Sequence, residues 1–170
     1  MTRKLIGGGF AVLMGMTLAA PVDAQTSARF ASVETNVARA AELEAQATAM
    51  YHSPRDYKRA AKLHEEAAEL RPAGDRIRVD DLRQAARLYH YTGSTLKARE
   101  LMVQAAEDAH AAGDVVAAAE SYLDAAFLYY EAGMPNEVTK LVEKAELLSK
   151  SPLISSSDRK MILSRIQVSA

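Results

Sequence analysis

The sequence predicts an all-α protein of about seven helices, folded as antiparallel pairs that stack into an array. Three observations predict it. Tyrosines recur at Tyr51, Tyr89 and Tyr129, with Ala47, Ala85 and Ala125 four residues before them and Ala67, Ala105 and Ala145 sixteen after. Self-similarity with a period of 38 to 40 residues marks a repeating helical unit. The composition is 49% hydrophobic with 8 Gly, 5 Pro and no Trp, and it is rich in Ala and other residues of low helix cost. Single glycines at Gly93, Gly113 and Gly133 stand 20 residues apart, placed to close one helix and release the next.

The elements follow in order. Arg3 and Lys4 precede an apolar run from Leu5 to Ala20 that contains four glycines, and Pro21-Val22-Asp23-Ala24 follows. A charged start, a short apolar middle and small residues at Val22 and Ala24 form the pattern of a signal peptide. Cleavage is expected after Ala24, which leaves residues 25–170 as the mature domain. The rival, an uncleaved anchor, is disfavoured because the run is shorter than the ~20 residues a bilayer requires. Export across the inner membrane to the periplasm is the expected address, with no stable membrane insertion afterwards.

From Arg29 to His52 the apolar residues fall near one helical stripe, and Ser53-Pro54 stops the helix. Ser53 or Asp56 can cap a second helix, Asp56 to Arg71, which Pro72 and Gly74 end. Helices are expected at Ile77–Thr92, Thr95–Ala112, Val115–Ala132 and Pro135–Lys150, with Ser94, Asp114 and Asn136 as starters. A last helix, about Ser157 to Val168, would cap the array, since terminal units have a face without a neighbour.

The stretch Asp56-Tyr57-x-x-Ala60, with Ala67, Leu70 and Pro72, resembles the second helix of a tetratricopeptide repeat. Three repeats align with that family: 41–74; 79–112 with Leu82, Ala86, Tyr89, Gly93, Ala98 and Ala105; and 119–152 with Tyr122, Ala126, Tyr129, Gly133, Val138 and Ala145. The family's early Trp is replaced by Glu44, Leu82 and Tyr122, and the spacing exceeds the family's usual repeat. The resemblance implies a right-handed superhelix whose first helices line a concave face. It places Arg83, Arg87, His90 and Tyr91 of the second repeat there, with Leu123, Phe127, Tyr130 and Glu131 of the third. Aromatics beside arginine suit a groove for an extended or helical peptide. Two other readings stand: a solvated face with scattered aromatics, and a face covered by the long N-terminal helix. The family's carboxylate-clamping lysines and asparagines are absent, so that specificity does not carry over.

The net charge of −1 argues against a strongly basic nucleic-acid binder, and the absence of cysteine excludes thiolate sites and disulfides. His52, His64, His90 and His110 show no metal-ligand spacing, and His64 falls on the core side of its helix. No phosphate-cradling loop or nucleophile elbow appears in the mature chain, so neither an enzyme nor a cofactor is expected. The expected function is a protein–protein interaction or scaffold module that binds a protein or peptide in its groove. The alternatives are a cell-envelope binder of a small molecule or peptidoglycan fragment, and a structural subunit that homo-oligomerises through its terminal helix.

Overall fold

The structure, a computed structural model, describes residues 22–169. Among them are seven α-helices and no strand: α1 (Val22–Ala49), α2 (Tyr57–Leu70), α3 (Arg76–Tyr91), α4 (Thr95–Ala111), α5 (Val115–Glu131), α6 (Pro135–Ser149) and α7 (Ser156–Ser169). A 3-10 turn, Pro54–Asp56, leads into α2. Each helix from α1 to α6 packs on the next, and α7 packs on both α5 and α6. The leader expected at residues 1–24 lies outside the described residues, apart from Val22–Ala24 at the start of α1. None of the described helices is long and apolar enough to cross a membrane.

The repeated small residues explain the close packing. Ala47, Ala60, Ala67, Ala85, Ala98, Ala105, Ala125 and Ala145 are all fully buried, so a methyl group faces each neighbouring helix. Tyr89 and Tyr122 are buried among them, while Tyr51 and Tyr129 are half-buried. Interiors pack at crystal-like density, so bulk in one unit must be matched by alanine in the next.

The joints carry a single device used three times. After α3, Gly93 N–H donates to His90 O at 3.0 Å and Ser94 N–H to Tyr89 O at 2.8 Å. The same pair of bonds follows α4 at Gly113 and Asp114, and α5 at Gly133 and Met134. This is the Schellman arrangement, and Gly93 has the positive φ of 78° that it needs. The three-residue turns that result reverse the chain and set successive helices side by side.

Several details differ from the sequence expectation. The first helix runs from Val22 to Ala49 rather than from Arg29 to His52. Its end comes early because Met50 and Tyr51 bond three residues back, to Ala47 O and Thr48 O, before Pro54 forces the chain away from helix. Neither the Ser53 nor the Asp56 side chain accepts a capping hydrogen bond from the backbone at the start of the second helix. Asn136 is not the starter of α6: Met134 holds the cap position and Pro135 opens the helix, where a missing N–H costs nothing. Ser94 caps α4 by position only, whereas Asp114 Oδ1 accepts from Ala117 N at 3.0 Å. Asp75, which had no assigned role, accepts from Ile77 N at 2.8 Å and caps α3.

Candidate functional site

The side chains on one face of α3 and α5 are set by helical spacing. On α3, Arg87, His90 and Tyr91 lie within one turn. On α5, Leu123, Asp124, Phe127, Leu128 and Glu131 share a stripe at i, i+3 and i+4. These eight line a hollow of about 680 Å³, completed by Met102 of α4 and by Ser164 and Arg165 of α7. Leu123 and Met102 are buried and form an apolar floor. Tyr91 and Phe127 stand at the rim, 73% and 53% exposed.

The polar groups sit at two ends of that apolar stretch. At one end Asp124 is shared by three guanidinium groups. Arg165 reaches Oδ1 at 2.6 Å, and Arg83 and Arg87 reach Oδ2 at 3.3 and 3.5 Å. Arg83 also lies 3.4 Å from Glu120. At the other end His90 Nε2 is 3.3 Å from Glu131 Oε2. The ring of Tyr91 lies 6.0 Å from His90 and 6.3 Å from Tyr57 of α2.

The structure thus brings six of the eight sequence-predicted groove residues around one hollow: Arg87, His90, Tyr91, Leu123, Phe127 and Glu131. Arg83 lines a second, more polar hollow and is held there by Glu120 and Asp124. Tyr130 is 71% exposed and lines none of these hollows, although helical spacing sets it close in angle to Leu123. Asp124, Ser164 and Arg165 were not foreseen. Asp124 follows from the i, i+3 relation to Phe127, but the α7 residues depend on how the terminal helix docks. No residue lining the hollow belongs to α1.

A separate chain of titratable groups ties α1, α2 and α3 together. His64 Nδ1 lies 2.8 Å from Asp81 Oδ1, and Tyr51 Oη lies 2.5 Å from His64 Nε2. An ionised carboxylate only accepts, so Nδ1 is the donor to Asp81 and Nε2 accepts from the tyrosine hydroxyl. Arg71, itself buried, pairs with Glu44 of α1 and has Nε 3.6 Å from Asp81 Oδ2. Burial pushes Asp81 above the usual carboxylate range, although the hydrogen bond from His64 opposes the shift. Burial likewise raises Tyr51, with the charge of Asp81 adding to it. Glu44, at a position where the resembled family has Trp, serves as an ion-pair partner. Among the described residues no group of three or more His, Asp or Glu converges as a metal site.

No known protein-family model matches the chain, and a search of curated proteins finds no significant relative.

Proposed function

We propose that the chain is an exported, periplasmic, tetratricopeptide-like superhelix that binds a peptide segment of a partner protein in the hollow between α3, α5 and α7. One observation carries the reading. An apolar floor, two exposed aromatic rings and arginines meet in a single solvent-facing hollow. Aromatic and arginine anchors over a desolvated floor are the pattern of a protein-recognition hot spot. The mixture of guanidinium groups with apolar surface favours a peptide over a wholly apolar small molecule.

A second reading, a small-molecule binder, is favoured by one observation. A volume of about 680 Å³ falls inside the range of ligand pockets. The test is partner capture from periplasmic extract by the wild type, by R87A/F127A and by the remote surface variant K140A. A protein retained by wild type and K140A, and lost by the double variant at unchanged helical circular dichroism, supports the reading. Equal retention by all three places the interaction surface elsewhere, with the terminal helix as the next surface to test. Unfolding of the double variant would mean that these residues serve the core.

A further inference from the structure

Asp124 is one carboxylate divided among three arginines. Of these, Arg87 holds it most weakly: its contact is 3.5 Å long and its side chain is 45% exposed. A guanidinium group has five N–H donors and satisfies a carboxylate best with two of them. Arg87 therefore presents cationic, unsatisfied donors to the hollow, while Asp124 fixes its orientation from behind. One helical turn further along α3 is Tyr91, and one turn beyond Asp124 on α5 is Phe127. Both rings lie at the rim and more than half exposed. Arg87 and Tyr91, i, i+4 neighbours on α3, thus have Cβ atoms about 5–6 Å apart, and Phe127 lines the same hollow from α5.

We infer that the segment taken by this hollow carries an internal acidic side chain that pairs with Arg87, and a bulky apolar side chain two residues away that seats between Tyr91 and Phe127. The inference rests on the peptide-binding reading above and names the chemistry of its ligand. Charge complementarity selects the acid, because a basic group would displace Arg87 from Asp124 and leave it unpaired. Volume selects an extended segment. A helix 10–12 Å across fills roughly 400–600 Å³ per turn, so about 680 Å³ holds little more than one turn. Along an extended segment, side chains two residues apart share a face at about 6.7 Å, close to the roughly 6 Å spacing of Arg87 and Tyr91 on α3.

The probes are fluorescein-labelled hexapeptides, acetylated and amidated so that no chain end carries charge, with Glu-Ala-Phe at their centre. Controls replace it with Gln-Ala-Phe, Lys-Ala-Phe or Glu-Ala-Ala. Fluorescence anisotropy on the full mature chain should rank the Glu-Ala-Phe peptide about tenfold tighter than the Gln and Ala controls. R87A should abolish the Glu-over-Gln preference, and R87E should invert it in favour of the Lys peptide. F127A should weaken every Phe-containing peptide while keeping the Glu-over-Gln ratio. Binding of the Phe-containing peptides with no acid preference overturns the inference and leaves the peptide-binding reading intact. Failure of all the peptides overturns both. Displacement of the peptide by dodecanoate at lower concentration than by unlabelled peptide overturns the inference in favour of a small amphiphile.

Discussion

His64 of α2 and Asp81 of α3 meet through a 2.8 Å hydrogen bond with their side chains at most 6% exposed. That bond is the centre of a chain running from Tyr51 through His64 and Asp81 toward Arg71 and Glu44. It joins three helices by polar contacts inside a core dominated by alanine and leucine.

Removing Asp81 takes the acceptor from His64 Nδ1 and one of the carboxylates beside buried Arg71, which keeps Glu44. D81A should lower stability by about 3 kcal/mol, the cost of breaking a buried charged pair. D81N keeps an acceptor for His64 and should cost less. The pH dependence has a definite sign. A carboxylate raised by folding contributes stability that is fully present below its unfolded value near 4, and loses it as pH rises through its folded value. The stability of wild type relative to D81N should therefore fall as pH increases from about 4. Urea titrations at a series of pH values check this, and a difference that grows with pH would show that the buried anion is net favoured.

Tyr89 gives a second titration. Burial, together with its 3.0 Å hydrogen bond to the Glu65 carboxylate, pushes its phenol up to about 12. Folding then holds the tyrosine proton more tightly than the unfolded chain does. The contribution is complete below pH 10 and is lost as pH climbs toward 12. Absorbance titration at the phenolate band should show Tyr51 and Tyr89 ionising late, with one fewer late-ionising tyrosine in Y89F. An unchanged profile in Y89F would contradict the assignment.

The alanine register makes a packing prediction. Ala105 is fully buried, whereas the side chain of Glu107 is 59% exposed and its Lys144 partner lies 3.9 Å away. Overpacking by A105F should cost about 1–3 kcal/mol or more, and E107Q less than about 0.5 kcal/mol. Thermal melts compare them directly. Equal small shifts would mean that the α4 register is wrong.

Much of this architecture was legible because its determinants are local. Gly93, Gly113 and Gly133 end helices through bonds to residues three and five positions back, and Pro54 and Pro135 act on their immediate neighbours. The groove face of α3 and α5 was legible for the same reason, since helical spacing puts Arg87 beside Tyr91 and Leu123 beside Phe127. The exclusion of Tyr130 from the hollow and the capture of Arg83 by Glu120 needed finer geometry than a repeat alignment carries. The chain from Tyr51 to Glu44 was invisible apart from the core position of His64. Its partners are 13, 17 and 27 residues apart and meet only after α1, α2 and α3 pack. Arg165 was missed likewise, because its contact with Asp124 depends on the docking of α7.

That docking supplies the last prediction. Ile162 is fully buried, and α7 packs chiefly on α5 and α6 at the end of the stack, where it has fewer contacts than the central helices. I162A removes three methyl-sized groups from a packed site, a change that costs about 2–5 kcal/mol. In a stacked array each unit touches only its neighbours, so the loss should stay near the end of the stack. Hydrogen exchange should accelerate throughout α7 and leave α2 and α3 as protected as before. Release of α7 also withdraws Arg165 from Asp124, which frees that carboxylate to hold Arg83 and Arg87 more closely. Acidic-peptide affinity should then fall with the loosening of α7, in step with it along a denaturant series too weak to unfold the rest. Uniform acceleration across all seven helices would mean that the array unfolds as one unit and that α7 is integral to its core.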